Sequence, residues 1–277
     1  MKTDEEIYQD LSERCKSVRK KILDLSLNCD GPVHLGGGLS MVELIVVLYA
    51  RILNYKSELP SWENRDRFIL SKGHGVLGFF PVLAEFEIIS EDQLKTFKTN
   101  GSDLIAHPIQ NLPLGIESSN GSLGHGLSFG VGMSLAARIN EANYKTFVLM
   151  GDGECNEGSV WEAAMCASHY ALNSLTVIID FNGLQSDGLS SEIVNSDNLA
   201  ERWRSFGWEV IEIDGHSITQ ILQAFESKIS TEKPTAIIAK TVKGKGISFM
   251  ENNNEWHHNR LTQSKYNQAL LELESSK

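Results

Sequence analysis

Short apolar segments alternate with amphipathic segments along most of this chain. The apolar segments contain mainly β-branched and aromatic residues, which predicts buried β-strands. The predicted strands are 68–70, 145–150, 175–179, 208–213 and 235–241. The predicted helices are 4–28, 41–53, a short segment from Ser90, 121–142, 158–172, 198–206, 217–230 and 263–277. Because helices that alternate with strands usually connect them in parallel, we predict an α/β fold with a doubly wound, mainly parallel sheet and helices on both faces.

The same pattern predicts one domain over residues 1–277, with an N-terminal helix at about 4–28 and a C-terminal extension at about 250–277. Ser40 is predicted to cap the helix 41–53, with Glu43 at its third position as in a capping box. The glycine-rich segment before Ser40 is predicted to be a loop. Helix 121–142 contains more glycine than helix propensity favours, so we expect it to pack closely against a bound ligand or another subunit.

Composition and charge exclude several classes of protein. The net charge is −11, from 25 Lys and Arg against 36 Asp and Glu. Nucleic-acid binders usually present a basic face, so this balance argues against nucleic acid as a partner. The four cysteines show no metal-ligand spacing, which indicates a reduced, cytoplasmic protein. The first residues lack the regions of a signal peptide, and no apolar run approaches the ~20 residues of a membrane span, so we expect no membrane association.

Two polar motifs stand at the ends of neighbouring predicted strands. Gly151-Asp152-Gly153 follows strand 145–150, and Asn182 follows strand 175–179. The helix between these strands makes them parallel, and ligands of parallel α/β sheets bind at the carboxyl ends of strands. We therefore expect Asp152 and Asn182 to lie on the same edge of the sheet, one strand apart.

These motifs have the chemistry of a metal and diphosphate site. A carboxylate, an amide oxygen and a backbone carbonyl form a hard, oxygen-only donor set, which suits Mg²⁺ together with phosphate oxygens and water. Gly151 and Gly153 would let a diphosphate approach the main chain, and the next helix N-terminus offers free N–H groups. The alternative is a plain Gly-Asp-Gly turn followed by an asparagine cap, but the register with two strands favours the site.

From about residue 25 to 256 the chain resembles the transketolase family. Gly-Asp-Gly followed by Asn182-Gly183-Leu184 is similar to the thiamine diphosphate motif. Further similar blocks occur in the family's order, and they are 33–40, 65–75, 106–108, 115–124 and 243–246. Several independent blocks are a much stronger signal than any one of them. The resemblance implies the thiamine diphosphate-binding fold and a thiamine diphosphate cofactor with Mg²⁺, or Ca²⁺ or Mn²⁺ in its place.

The resemblance also assigns residues to the cofactor. Asp152, Asn182 and the carbonyl oxygen of Leu184 would hold the metal. Gly153, next to Gly151, would donate its N–H to phosphate. Gly121 and Leu123 fall in the loop that meets the aminopyrimidine ring of the cofactor in this family.

Histidines in predicted loops supply the remaining candidates. By resemblance, His74 and His257 would lie near the diphosphate and the sugar, and His34 and His107 would bind substrate hydroxyls and relay protons. A lone loop histidine is more often solvated or locally bonded, but these four match the family block by block. A neutral imidazole both donates and accepts a hydrogen bond, and its pKa permits proton transfer near neutral pH.

Two glutamates complete the candidate catalytic set. By resemblance, Glu157 and Glu162 belong to a glutamate network that links the two active sites of the dimer, and Glu157 also lies at the cofactor. The alternative is that both carboxylates simply stabilise the N-terminal end of helix 158–172 through its dipole.

The implied reaction is transfer of a two-carbon ketol unit from a ketose or ketose phosphate to an aldehyde. The glutamate that activates the cofactor in this family lies in a pyrimidine-binding domain. No second array of strands and helices follows residue 241, so we expect a separately encoded C-terminal subunit to supply that domain. The expected assembly is an α₂β₂ heterotetramer that acts on sugar or sugar phosphate substrates.

Several positions depart from the family pattern. Ser is more usual than Gly38, Gln than His125, Leu or Ile than Ser186, and Gly than His258. These departures leave the identity of the substrates open. The alternatives within thiamine enzymes are a deoxyxylulose-phosphate-synthase-like protein and a 2-oxo acid dehydrogenase α subunit. The blocks 71–75 and 106–108 fit transketolase better. The alternative of a different class is a non-catalytic subunit that binds cofactor or partner.

Overall fold

The computed structural model describes residues 3–194, 198–227 and 232–275. Its sheet has the order β1-β2-β3-β5-β4, and all four neighbouring pairs are parallel. The strands are β1 Arg67–Leu70, β2 Thr146–Gly151, β3 Leu175–Phe181, β4 Glu209–Asp214 and β5 Thr235–Lys240. The prediction of an α/β protein with a parallel sheet is confirmed.

Helices cover both faces of this sheet and its ends. They are α1 Asp4–Asn28, α2 Leu35–Leu39, α3 Val42–Val47, α4 Val76–Glu85, α5 Glu91–Leu94, α6 His125–Ile139, α7 Gly158–His169, α8 Ser190–Ile193, α9 Leu199–Ser205, α10 Ile218–Glu226 and α11 Gln263–Ser275. Positions 228–230 of the predicted helix 217–230 and positions 276–277 of the predicted helix 263–277 lie outside the described residues. None of the described helices is both long and apolar enough to cross a membrane.

Side chains of each central strand alternate between two hydrophobic clusters, one on each face. On β2, Phe147 and Leu149 enter the cluster that α1, α3 and α4 cover, whereas Val148 and Met150 enter the cluster under α6, α7 and α9. The two-residue period of a strand requires this alternation. Since both faces are covered there, β2 and β3 read as nearly continuous apolar runs, as expected for a parallel sheet.

The segment before α3 differs from its prediction. Ser40 does not cap α3, because its hydroxyl donates to Asp180 Oδ2 at 2.6 Å and Met41 occupies the cap position. The capping-box prediction was therefore wrong. The predicted loop is also partly helical, since the glycines between Leu35 and Leu39 form α2. The predicted helix 41–53 continues beyond α3 as a wider π-helical turn at Leu48–Ile52.

The helix predicted over 121–142 begins at His125, so Gly121 and Leu123 lie in the loop before it. Two of its glycines pack closely, but against the sheet of the same chain. A Cβ added at Gly126 would lie 2.2 Å from Ser71 Oγ, and one at Gly130 would lie 2.6 Å from Val148. Gly132 faces away, with no atom within 4 Å of an added Cβ.

Candidate active site

A cavity of about 400 Å³ opens at the carboxyl ends of β1, β2 and β3. The predicted site residues that line it are His34, His74, His107, Gly121, Leu123, Gly151, Asp152, Gly153, Glu157, Asn182, Leu184 and His257. Glu162 is not among its described lining residues and lies exposed on α7. One cavity therefore brings together residues from segments that are far apart in the sequence.

The two strand-end motifs meet as predicted. Gly151 of β2 pairs with Asp180 of β3, so Asp152 and Asn182 follow neighbouring strands at the same edge. Asp152 is buried, and its carboxylate accepts a hydrogen bond from Ser190 Oγ at 2.7 Å. Burial raises the pKa of Asp152, although the bond from Ser190 opposes this change. A cation bound here would favour the ionised carboxylate.

The other two oxygen donors of the predicted metal set have partners within the chain. Asn182 Oδ1 accepts a hydrogen bond from the Leu184 amide at 3.1 Å, and the Leu184 carbonyl accepts one from Lys243 Nζ at 3.3 Å. No group of three or more His, Cys, Asp or Glu side chains among the described residues could hold a metal. The available set is thus one carboxylate, one amide oxygen and one carbonyl, which fits a hard divalent cation.

Two lysines that the sequence analysis gave no role lie in the cavity wall. Lys72 Nζ donates to the Gly37 carbonyl at 2.9 Å and to Asp180. Lys243 Nζ donates to the Gln185 carbonyl at 3.0 Å, and burial together with Lys72 lowers the pKa of Lys243 to about 8. Their positive charges suit a diphosphate. Both lie just after a strand and just before a glycine, in blocks that the resemblance included, and this signal could have identified them.

Asp180 was also missed, and it connects several parts of the site. Its buried carboxylate accepts hydrogen bonds from Ser40, Lys72 and Thr241 Oγ1. Burial alone would raise the pKa of Asp180, but Lys72 and the hydroxyl donors hold it below its ordinary value. Asp180 is therefore an ionised group that fixes Lys72. A charged residue at the end of an otherwise apolar strand is the sequence signal for it.

Glu154 is a second missed carboxylate. It accepts hydrogen bonds from Ser71 Oγ, from the Gly124 amide at 2.9 Å and from the Gly151 amide at 3.2 Å. Burial raises the pKa of Glu154, and these donors oppose the change. The carboxylate thus joins the ends of β1 and β2 to the loop that carries Gly121 and Leu123.

The four predicted histidines form one cluster. The ring centroids of His34 and His74 are 5.3 Å apart, those of His34 and His257 are 5.3 Å apart, and those of His34 and His107 are 6.3 Å apart. Burial and neighbouring cations lower the pKa of His34 to about 3 and that of His257 to about 4. Both imidazoles are neutral at pH 7, so each can donate one hydrogen bond and accept another.

Three buried polar atoms in the cavity wall lack a hydrogen-bond partner among the described residues. They are Asn156 Nδ2, Gln185 Nε2 and His257 Nδ1. Such atoms are costly unless a ligand or water completes their hydrogen bonds. A Cβ added at Gly151 would meet nothing within 4 Å, so the wall there is open to a ligand. At Gly153 a Cβ would lie 2.8 Å from Gln185, so packing within the chain also requires this glycine.

Known proteins match this chain over most of its length. Residues 15–273 match the family model described as transketolase, thiamine diphosphate binding domain. One subunit of the apulose-4-phosphate transketolase of Phocaeicola vulgatus is 41% identical over 256 residues, which cover 92% of this chain and 90% of that protein. The 6-deoxy-6-sulfo-D-fructose transketolase subunit SqwG of a Clostridium species is 38% identical over 266 residues, 96% of each protein.

Solved structures show the same similarity over a smaller share of their length. Transketolase of Campylobacter jejuni superposes with a TM-score of 0.88 at 28% identity, covering 96% of this chain and 43% of that chain. Transketolase of Leishmania mexicana superposes with a TM-score of 0.87 at 27% identity, covering 95% of this chain and 41% of that chain. This chain thus spans less than half the length of these transketolases.

The fold and the matched domain define a thiamine diphosphate-binding α/β protein. The chain belongs to the transketolase family and is a transferase of the transketolase type. It corresponds over nearly its whole length to proteins named as transketolase subunits. The comparisons favour this family over the two alternatives among thiamine enzymes.

Proposed function

We propose that this chain binds thiamine diphosphate with a divalent cation, most readily Mg²⁺, and acts with a separate C-terminal subunit. The complex would transfer a two-carbon ketol unit from a ketose or ketose phosphate to an aldehyde. One observation carries the proposal. Oxygen donors from two adjacent strand ends, two lysines and four histidines share a single cavity.

The residues at the strand ends would bind the charged end of the cofactor. Asp152, Asn182 and the Leu184 carbonyl are the proposed metal ligands. Lys243 now donates to that carbonyl, so its ammonium would turn toward phosphate oxygens when the cation takes its place. Lys72, held by Asp180, supplies a second positive charge.

The histidine wall would orient the sugar. When bound, thiamine diphosphate supplies an electron sink for the carbanion that forms as the ketose is cleaved. Neutral His34 can donate to one sugar oxygen and accept from another hydroxyl. His107 lies in the same wall, and the two side chains would together fix the chain of the sugar. His257 has an unpartnered buried nitrogen in the cavity and can hold or pass a proton there. His74, also at the cavity, would lie beside the diphosphate.

A partner is proposed because the activating glutamate of the family lies in a pyrimidine-binding domain, which a separate subunit would supply. Glu157 and Glu162 are exposed, with Glu157 at the cavity wall, and remain proposed members of a network between two active sites. The two relatives described above are named as subunits. We propose an α₂β₂ assembly in the cytoplasm, where the unpaired thiols of the described cysteines would stay reduced.

Co-expression with the gene of the neighbouring reading frame tests this function. The purified complex should transfer ketol units from a ketose phosphate when thiamine diphosphate and Mg²⁺ are present, and this chain alone should not. Activity of the chain alone would contradict the proposed need for a partner. Product analysis with pyruvate as donor separates transketolase from the deoxyxylulose-phosphate-synthase alternative. A complex that binds cofactor but turns over no ketose would support the non-catalytic alternative.

Asp152→Ala tests the metal site separately. The complex with this variant should lose Mg²⁺-dependent binding of thiamine diphosphate, measured by calorimetry with and without a chelator. Asp92→Ala is the matched control, because Asp92 is an exposed carboxylate on α5 that pairs with Lys95. Undiminished, Mg²⁺-dependent affinity in Asp152→Ala would reject the ligand assignment.

A further inference from the structure

A fifth imidazole extends the histidine cluster outward. The ring of His258 lies 4.4 Å from that of His34, between centroids, with an interplanar angle of 34°. This distance is shorter than those from His34 to His74 and to His257, both 5.3 Å. His258 is exposed, whereas these three histidines are partly buried. His258 is therefore the outermost imidazole of the cluster.

The backbone sets this contact between His34 and His258. Val33 and Asn259 form an antiparallel bridge, with hydrogen bonds of 3.0 Å and 3.1 Å between their backbone groups. In an antiparallel pair the next residue of one segment lies opposite the preceding residue of the other, so position 34 faces position 258. The buried side chain of Trp256 anchors the same segment. The placement of His258 is thus built into the chain.

A second, small cavity lies beside this contact. His34, His74, Lys98 and His258 supply its basic groups. Its other described lining residues are apolar, and none is acidic. Lys98 Nζ donates to the Pro32 carbonyl at 3.2 Å, which holds its ammonium next to the segment that carries His34. This group of donors favours an anion over a neutral ligand.

His34 lines both the small cavity and the large one. A sugar with its reacting end among His34, His107 and His257 would have to pass His34 to reach His258. His258 thus adds an exposed imidazole beside His34, a histidine that the two cavities share.

We propose that His258, with Lys98 beside it, binds the anionic end group of the sugar substrate, a phosphate ester or a sulfonate, and so determines substrate specificity. The assignment rests on the proposed function, since it needs the reacting end of the sugar at the histidine cluster. Imidazole N–H and lysine ammonium donors would bind the P–O or S–O oxygens. His258 takes no part in breaking or forming bonds.

Kinetics of the reconstituted complex with paired acceptors test this assignment. His258→Phe keeps a ring against His34 but removes both nitrogens. Its KM for glyceraldehyde 3-phosphate should rise about 10-fold, the worth of a hydrogen bond to a charged group, while KM for glyceraldehyde and kcat stay within about 2-fold. His258→Asn, which keeps an N–H donor, should restore part of the loss. The three-carbon sulfonate aldehyde in place of the phosphate shows which anion the site prefers.

An equal change in KM for the charged and the neutral aldehyde would show a structural role for His258 and overturn the assignment. An unchanged KM for both aldehydes would overturn it too. A binding measurement keeps the test independent of turnover. In the full chain labelled with ¹⁵N-histidine, glycerol 3-phosphate or methanesulfonate should shift the His258 resonances with saturation, and glycerol should not. Lys98→Ala should weaken this binding, and Lys95→Ala, at an exposed lysine nearby in the sequence, should not.

If the wild-type complex transfers no ketol units, the proposed function fails, yet the anion titration still decides whether His258 and Lys98 form an anion site. Saturable binding of glycerol 3-phosphate or methanesulfonate would support an anion site at His258 and Lys98. A lack of saturable binding with both anions would reject it. If transfer occurs and the titration shows no saturation, only the assignment of His258 fails.

Discussion

Lys72 and Asp180 form a buried ion pair beneath the cofactor cavity, with side-chain exposures of 2% and 0%. The lysine follows β1 and the aspartate lies in β3, so the pair crosses β2 under the strand-end motifs. Asp180 also accepts from Ser40, which joins this pair to the segment between α2 and α3. The floor of the site is therefore one connected polar network rather than a set of separate turns.

We predict that Asp180→Asn lowers the free energy of unfolding by about 3 kcal/mol, because Lys72 would keep a buried charge without its counter-ion. Binding of thiamine diphosphate should weaken as well, since Lys72 would no longer be held toward the cavity. Urea unfolding and calorimetric titration measure the two effects. Asp92→Asn, at an exposed ion pair on α5, is the control and should change stability by no more than about 0.5 kcal/mol. Equal stability of both variants would contradict the role of Asp180.

The joining of Asp152 and Asn182 could be predicted from sequence, because strand periodicity and a helical crossover fix which residues end neighbouring strands. The four histidines could be placed only through their resemblance to a family. Lys72 and Asp180 each have a local sequence signal, but their pairing escaped prediction because they are 108 residues apart and the contact is tertiary. Local patterns carry no signal for such pairs.

Ser40 shows how tertiary contacts override a local signal. Its position before an apolar segment, three residues ahead of Glu43, is typical of a capping box. In the fold, Asp180 accepts the Ser40 hydroxyl, and Glu43 accepts two hydrogen bonds from Arg19 at 2.7 and 2.9 Å. Both side chains are taken by charged partners from other elements, so neither is available for the cap.

Glu43 also bonds to His216, which positions the loop that carries Lys243. His216 Nε2 accepts from the Val242 amide at 2.8 Å, so Nδ1 carries the proton and donates to Glu43 at 3.0 Å. Burial opposes ionisation of Glu43, but Arg19 and His216 lower its pKa to about 2. We predict that Glu43→Gln costs about 3 kcal/mol in urea unfolding at pH 7.

The pH dependence of this cost has a defined sign. The folded pKa of Glu43 lies below its ordinary value of 4.5, so its contribution is complete above pH 4.5 and is lost as the pH falls toward about 2. The difference in stability between wild type and Glu43→Gln should therefore shrink between pH 5 and pH 3. Glu201→Gln is the control, because Glu201 forms an exposed pair with Arg204. Its difference in stability from wild type should not shrink over this pH range. A constant difference would mean that the charge of Glu43 is not the cause.

The neutral histidines predict a second pH effect, in a higher range. His34 and His257 have folded pKa values of about 3 and about 4, below the ordinary 6.5, so the unfolded chain binds more protons beneath pH 6.5. Stability of the cofactor-free chain should fall as the pH drops from 6.5 toward 4. Replacing both residues by Asn should flatten this slope in urea unfolding, whereas His169→Asn, at an exposed histidine on α7, should leave it unchanged. An unaltered slope in the double variant would show that other groups cause it.

Two glycines on α6 separate close packing from helix propensity. In Gly126→Ala the new Cβ would lie 2.2 Å from Ser71 Oγ and 2.7 Å from Ser71 Cα, so the helix or the end of β1 must shift. We expect a loss of about 2 kcal/mol in urea unfolding, as for other overpacked sites, and weaker thiamine diphosphate binding, because Ser71 donates to Glu154 at the cavity. In Gly132→Ala the Cβ meets no atom within 4 Å, and the better helix propensity should stabilise the isolated chain by about 0.5–1 kcal/mol. Changes of opposite sign in the free energy of unfolding of these two variants would show that contact with Ser71, rather than flexibility, requires glycine at position 126. Changes of the same sign would refute this explanation.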